Sequence, residues 1–246
     1  IAAVAWPRDA VVSWNPMLLG TRLGIDETGA VFLFFTAALW LASSIFALDY
    51  LRNDSRRTAF FSFYLLAFTG NIGLILAQDI ASFFAFFTLM SFASYALVIH
   101  DRKSASLRAG RVYLVLVVVG EVLLFSGMVA LVALAGSTDF AVLRTVPADG
   151  FTYGLLIAGF GIKVGALPLH VWLPLAHPAA PAPASAVLSG AMIKAGLLGW
   201  LRVLPLGITV VPAWGEILIW LGLGAAFYGV VAGLFQRDPK TLLAYS

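Results

Sequence analysis

Apolar residues dominate the chain in long stretches, which are separated by short connections that carry charges, proline or glycine. A stretch of about 18 or more apolar residues is long enough to cross the hydrocarbon core of a membrane as a helix. The pattern therefore predicts an all-α fold, a polytopic membrane bundle of about seven transmembrane helices. The predicted segments are residues 28–51, 58–77, 79–100, 110–136, 151–170, 185–205 and 211–235.

The start of the chain follows a different pattern. Val11, Val12, Trp14 and the run that begins at Leu23 favour short strands or a re-entrant loop lying over the bundle. We expect residues 1–27 to form an extramembrane segment and residues 28–246 to form the helical bundle. The first residue is not methionine, and we expect both ends to be truncated.

Composition supports a membrane protein, since 61% of the residues are hydrophobic and 11% are charged, whereas soluble domains average about 25% charged residues. The net charge is +3, but the 15 Lys and Arg residues are spread over the chain and form no basic patch that would indicate nucleic acid. Without cysteine, this chain alone holds no iron–sulfur cluster or thiolate metal site. We expect no cofactor here and place any redox centre in a partner.

Basic residues in the connections indicate the orientation, because cytoplasmic loops are enriched in Lys and Arg. Nine fall on one predicted side and four on the other. The first side is predicted to be cytoplasmic, which places residues 1–27 on the periplasmic side of a bacterial or archaeal inner membrane. The nine are Arg52, Arg56, Arg57, Arg102, Lys103, Arg108, Arg111, Arg237 and Lys240, and the four are Arg8, Arg22, Arg144 and Arg202.

Three ionisable residues, Glu121, Lys163 and Lys194, stand near the centres of predicted spans. Insertion scales put a central charge at about 2.5 to 3.5 kcal/mol, so we expect all three inside the bundle, with Glu121 within salt-bridge or single-water reach of Lys163. A static salt bridge is the structural alternative. Two lysines facing one glutamate leave an amine without a counter-charge, and burial then favours its neutral form. The pattern favours an ion pathway.

Glycines and a proline predict that the helix containing Lys163 is broken before Trp172. At membrane depth, a break is tolerated only where protein or a water-filled cavity covers the backbone. His170 and His177 flank it and are candidate proton carriers, with polar capping as the alternative. Zinc binding by two histidines without a third ligand has little support. The helix-breaking residues are Gly161, Gly165 and Pro168.

The stretch from Lys163 to Pro181, with its run Ala-His-Pro-Ala-Ala-Pro, closely resembles the antiporter-like proton-channel subunits, as does the run Met-Ile-Lys ending at Lys194. That family includes membrane-arm subunits of respiratory complex I, Mrp-type cation/proton antiporters, and membrane subunits of energy-converting hydrogenases and formate hydrogenlyase. The sequences of these two runs are most similar to the hydrogenase-4 component B-like branch. Further similar motifs contain Asp26, Asp79 and Asp238.

The resemblance implies that the chain is a fragment with the first channel repeat, at about residues 58–205, and without the second. It also implies a glutamate in the fifth family helix, where this chain has Thr88. Glu121 is the candidate replacement. The implied relay pairs Glu121 with Lys163 and continues to Lys194, with His170 as a link.

The resulting hypothesis is a proton-translocating subunit of a redox-driven complex, hydrogenase-type or NADH:quinone oxidoreductase-like. Its expected partners are other membrane subunits, a peripheral redox arm and the lipid bilayer, with no nucleic acid. The alternatives are an Mrp-type sodium/proton antiporter subunit and a non-conducting scaffold remnant. The scaffold alternative stays open because Thr88 stands where the resemblance implies a glutamate. The residues identify neither the electron donor nor the acceptor, and they do not separate protons from sodium.

Overall fold

The computed structural model describes residues 11–14, 20–205 and 212–245. Seven helical segments in these ranges are long and apolar enough to cross a membrane, which confirms the predicted multi-pass bundle. The fourth begins at Ser104, not at residue 110, because the helix continues past its apolar stretch into an arginine-bearing connection. Predictions for residues 1–10, 15–19 and 206–211, including the placement of Arg8, lie outside the described residues.

Short connections join the helices, so consecutive spans cross in opposite directions. A 3-10 turn, Leu169–Trp172, and a π-helical turn, Leu188–Met192, interrupt two of the spans. The helices are α1 (Glu27–Tyr50), α2 (Arg57–Leu76), α3 (Ile80–Val98), α4 (Ser104–Ala135), α5 (Phe140–Leu143), α6 (Gly150–Val164), α7 (Leu173–Ala179), α8 (Ala182–Val187), α9 (Lys194–Val203), α10 (Pro212–Leu234) and α11 (Pro239–Tyr245).

Aspartates begin five of the helices, and four of these aspartates lie at the same end of the bundle, here called the aspartate end; the fifth, Asp238, accepts the Thr241 N–H at the start of α11. Each carboxylate accepts a backbone N–H from the first turn of its helix, at 2.8 to 3.1 Å. The first N–H groups of a helix have no partner within the helix, so these side chains provide the acceptor. The four are Asp26 on α1, Asp79 on α3, Asp139 on α5 and Asp149 on α6.

A two-stranded antiparallel hairpin lies at the aspartate end, with β1 (Val12–Trp14) paired to β2 (Thr21–Leu23). Of the two predicted alternatives for this part of the chain, the strands are confirmed. The Arg22 backbone N–H donates to the Asp79 carboxylate at 2.9 Å, and the Arg22 guanidinium forms an ion pair with Asp139. The hairpin is thereby tied to the starts of α3 and α5.

Arg202 corrects the sequence analysis, which counted it among the loop cations. Arg202 lies in the last turn of α9 and is buried, at 4% exposure. Its guanidinium pairs with Asp26 at 2.9 Å and donates to the carbonyl of Ile75 at 2.8 Å. The side chain therefore joins the end of α9 to the start of α1 and the end of α2.

The opposite end of the bundle is held by a contact between two connections. Asp54, in the α1–α2 connection, lies 3.0 Å from His100 Nε2, in the α3–α4 connection. The Arg56 backbone N–H donates to the same carboxylate at 2.7 Å. These hydrogen bonds lower the pKa of Asp54, and the bond with His100 has the larger effect. We call this the arginine end, after the Lys and Arg residues of these connections.

Polar side chains on α1 find partners inside the protein, since lipid offers none. Trp40 Nε1 donates to Asn71 Oδ1 of α2 at 2.9 Å, and Ser43 Oγ donates to the carbonyl of Pro183 in α8 at 2.9 Å. Trp40 is also among the most deeply buried side chains. The first span is therefore packed against both α2 and the later helices.

Asp26→Ala is expected to lower the free energy of unfolding by about 3 kcal/mol, because it leaves the Arg202 guanidinium buried without its counter-charge. The matched control is Asp149→Ala, which removes another N-cap carboxylate with no buried cation and should therefore cost clearly less. Denaturant unfolding of the purified protein in detergent measures both. Equal losses would contradict the assignment, and Asp26→Ala combined with Arg202→Leu should recover part of the stability.

Candidate functional site

The helix that carries Lys163 ends one residue later, at Val164. Gly165 follows in the left-handed conformation, at φ 76°, and its N–H donates to the carbonyl of Gly161 at 2.9 Å. Glycine adopts this conformation without the steric cost that other residues meet. Trp172 Nε1 donates to the carbonyl of Ile162 at 2.8 Å. These contacts confirm the predicted break between Lys163 and Trp172 and supply partners for carbonyls at the end of α6.

Pro168 lies inside the break, immediately before the 3-10 turn. It has no N–H to donate, so a regular α-helix cannot continue through this position. The chain resumes α-helical structure at Leu173 and runs as α7 to Ala179. The span is thus two helical pieces with a non-helical connection between them.

Lys163 is buried, at 4% exposure, where α3, α4 and α6 meet. Its amine donates to Ser91 Oγ at 3.2 Å and to the Tyr113 hydroxyl at 3.3 Å. It also lies 5.7 Å from the ring centre of Phe87. Its hydrogen-bond partners here are therefore neutral hydroxyls.

Glu121 is also buried, at 8% exposure, and points into the bundle and not towards lipid. Thr88 Oγ1 donates to Glu121 Oε2 at 2.6 Å. The other carboxylate oxygen, Oε1, has no hydrogen-bond partner among the described residues. Thr88, at the position where the resemblance implied a glutamate, is thus in direct contact with the candidate replacement.

Glu121 and Lys163 line one small cavity together with Ser91 and Tyr113. Its volume is about 10 Å³, close to the space that one water molecule needs. The ion pairs within 4.0 Å among the described residues do not include Glu121 with Lys163. The direct salt bridge is therefore not formed, and connection through one water stays a prediction.

The sequence analysis missed Ser91 and Tyr113. Ser91 follows Thr88 by one helical turn, so the two hydroxyls share a face of α3. Tyr113 lies on α4 above Glu121 and also donates to the carbonyl of Ser91 at 3.1 Å. The helical spacing of polar residues within apolar spans is the signal that would have found both.

Lys194 was predicted to lie inside the bundle, and the structure corrects this prediction. The side chain is exposed on the described chain, and its amine donates to the carbonyl of Ser189 at 2.7 Å. The π-helical turn that precedes α9 explains this position. A π turn shifts the backbone hydrogen bonds, and the sequence analysis assumed a regular helix with Lys194 on its inner face.

A second cavity, of about 890 Å³, is lined by Lys194, His170, His177 and tyrosines of α10 and α11. His177 is buried and shares a hydrogen bond with Ser185 Oγ at 3.0 Å. The His170 ring packs edge-on against Tyr228, at 5.0 Å between ring centres. Both histidines thus line the same cavity as Lys194.

The break stands between the two cavities. Lys163 lines the small one, while Val164 and Gly165, its immediate neighbours in the chain, line the large one. The candidate site therefore has two parts, a small cavity around Lys163 and Glu121 and a large one around Lys194. Within the described ranges, no group of three or more His, Cys, Asp or Glu side chains is placed to hold a metal ion.

These features define a class, the multi-pass helical membrane proteins that hold ionisable side chains within the bundle. The family model described as NADH:quinone oxidoreductase/Mrp antiporter, transmembrane, matches residues 77–246, and the chain belongs to this family. The family resemblance drawn from the sequence is thereby confirmed.

Three similar proteins represent the family. Hydrogenase-4 component B of Escherichia coli (strain K12) is 35% identical over 91% of this chain and 35% of its own length. NADH-quinone oxidoreductase subunit N of Rhodobacter capsulatus is 34% identical over 91% of this chain and 48% of its own. A chain in the solved Mrp complex from Dietzia sp. DQ12-45-1b aligns over 99% of this chain and 28% of its own, with a TM-score of 0.89 and 27% identity. The chain thus spans less than half the length of these relatives.

Thr88→Val is expected to lower the free energy of unfolding by about 1 to 3 kcal/mol, because it removes the donor to a buried carboxylate oxygen. Thr88→Ser should retain most of the stability. Ser126→Ala is the control, since Ser126 is an exposed α4 residue that bonds only its own helix, and it should change stability by less than about 0.5 kcal/mol. Unfolding in detergent measures all three, and a Thr88→Val loss no larger than the control would refute the contact.

Proposed function

We propose that this chain is a proton-translocating subunit of a redox-driven membrane complex. The observation that supports this most is the pair of buried ionisable groups, Lys163 and Glu121, in one small cavity without a direct ion pair. A locked salt bridge would hold both charges fixed. Here neutral hydroxyls bind the amine, and one carboxylate oxygen is unpartnered among the described residues, an arrangement suited to groups that gain and lose protons.

In the proposed relay, Glu121 and Lys163 exchange a proton through the small cavity. Thr88 holds the carboxylate, while Ser91 and Tyr113 hold the amine. Their hydroxyls both donate and accept hydrogen bonds, so they accommodate the charged and the neutral amine. Two neutral hydroxyls beside the Lys163 amine therefore suit a proton carrier better than a second carboxylate at the same place would.

The relay then continues past the broken helix to the large cavity. Gly161, Gly165 and Pro168 give the chain the break that allows the path to leave α6. Lys194 is the next proposed carrier, and His170 and His177 are proposed links because imidazole exchanges protons near neutral pH. The common cavity of these three side chains supports this assignment.

The coupling, partners and location belong to the same proposal. The names of the relatives, hydrogenase-4 component B and NADH-quinone oxidoreductase subunit N, support partnership with other membrane subunits and a peripheral redox arm. A change at the arm would alter the Glu121–Lys163 interaction and move the proton towards Lys194. The charge distribution supports placement in a bacterial or archaeal inner membrane, with residues 1–27 as a periplasmic extramembrane segment and residues 58–205 as the channel repeat.

The likeness to a chain of the Mrp complex favours a second candidate, a sodium/proton antiporter subunit. Sodium binds through several oxygen atoms, and the small cavity offers Glu121 and hydroxyl oxygens. The Lys163 amine points into the same space and would repel the ion. We therefore give proton transfer precedence, and the scaffold alternative is the outcome in which neither ion moves.

Glu121→Gln is expected to reduce proton translocation by about a hundredfold, as loss of a positioned proton-transfer group does. Adding Thr88→Glu to this variant should restore a measurable share of the translocation, because the side-chain ends of residues 88 and 121 lie 2.6 Å apart. Inverted vesicles containing the complete complex, with a pH-sensitive dye, measure translocation. Glu216→Gln, at an exposed carboxylate of α10, is the control and should behave as wild type. Full activity in Glu121→Gln would refute the role of Glu121.

Lys194→Ala is expected to abolish proton translocation while partner redox turnover persists with an uncoupler present, because Lys194 is the sole ionisable residue of 185–201. Lys194→Arg should also fail, since arginine keeps the charge but does not release its proton. Lys103→Ala, at an exposed loop lysine, is the control. Wild-type translocation in Lys194→Arg would overturn the carrier role and favour the scaffold alternative.

A further inference from the structure

A surface groove of about 440 Å³ runs along the first turns of α4, and it shares no lining residue with the second cavity. Arg108 and Arg111 border it, and the surface that lines it is almost wholly apolar. Val171, from the 3-10 turn in the break, forms the wall opposite α4. The remaining lining residues are Val112, Val115 and Leu116.

The two arginines present an unneutralised positive charge. Both are exposed, and they stand three positions apart on the helix, so their side chains leave α4 on the same face. Within the part of the chain that the structure describes, neither guanidinium takes part in an ion pair. An anion with several acceptor oxygens is the complement of two adjacent guanidinium groups.

The position of this pair along α4 places it at the level of lipid headgroups. After Arg111, the helix carries a single charged residue, Glu121, up to its end at Ala135. The apolar part of α4 thus begins where the arginines end, and the groove continues along it. A ligand that matches the whole groove needs an anionic head and an apolar tail.

We propose that this groove binds an anionic phospholipid, with its phosphate between Arg108 and Arg111 and an acyl chain along Val112, Val115 and Val171. Basic pockets beside transmembrane helices recognise anionic headgroups in this way. Free phosphate matches the arginines alone and leaves the apolar wall without a partner. The proposal does not depend on the proton relay.

Leu116 connects the proposed lipid groove to the cavity of Lys163 and Glu121. This side chain lines both the groove and the small cavity of Lys163 and Glu121. An acyl chain in the groove would therefore pack against a residue that also lines that cavity. It would also cover Val171, next to His170 in the break.

The test is photo-crosslinking with phosphatidylglycerol that carries a diazirine on its acyl chain, in phosphatidylcholine nanodiscs containing the intact protein or complex. Each basic group near an anionic lipid surface strengthens binding by about fivefold. Arg108→Gln combined with Arg111→Gln should therefore weaken crosslinking to peptides containing Val115 and Val171 by about thirtyfold. Arg52→Gln combined with Arg57→Gln is the matched control, with the same charge change at two exposed arginines, one in the α1–α2 connection and one at the start of α2, and should crosslink as wild type.

Two further arms separate the possible ligands. Val171→Trp keeps both arginines and fills the apolar wall, so it should also reduce crosslinking. Excess inorganic phosphate should displace the lipid only weakly. Equal labelling by a phosphatidylcholine probe, full displacement by phosphate, or unchanged labelling in the Arg108→Gln and Arg111→Gln double variant would each overturn the proposal.

Discussion

The fold depends on the burial of one amine, that of Lys163. Lipid cannot solvate it, and the cost of an unsatisfied ammonium in hydrocarbon far exceeds that of a hydroxyl or amide. Three helices must therefore meet at this point, since Ser91 comes from α3, Tyr113 from α4 and the lysine from α6. The close of α6 at Gly165 follows directly after the lysine, so the most costly residue and the interruption of its helix are adjacent in the chain.

The contact between Thr88 and Glu121 explains how the carboxylate can occupy α4 when the family resemblance implied α3. The two side-chain ends lie 2.6 Å apart, so exchanging acid and hydroxyl between the helices moves the charge by about one hydrogen-bond length. In this chain the contact pairs an acid with a hydroxyl beside the Lys163 cavity. This closeness supports the proposal that Glu121 takes the place of the glutamate that the resemblance implied at Thr88.

Features set by local sequence were predictable, and those set by distant contacts were not. The spans follow from apolar length, and the break follows from glycine and proline, which act on their own backbone. Arg202 was misplaced because its partner, Asp26, is remote in sequence and its position near a helix end is also typical of a loop cation. Lys194 was misplaced because a π turn leaves no clear residue pattern and rotates the helix that follows it. Ser91 was not predicted because a single serine within an apolar span can also bond its own helix, and its contact with Lys163 joins residues distant in sequence.

The charge distribution at the two ends has different physical causes, and this bears on the orientation. At the aspartate end, carboxylates cap helix N-termini, where the helix dipole favours negative charge. Arg22 and Arg202 bind two of these carboxylates, those of Asp139 and Asp26. They serve as counter-charges to these two caps, so their position follows from the caps and not from the orientation in the membrane. When Arg22 and Arg202 are left out, the excess of Lys and Arg residues at the arginine end is larger than the count of nine against four indicates. This strengthens the proposal that the arginine end faces the cytoplasm.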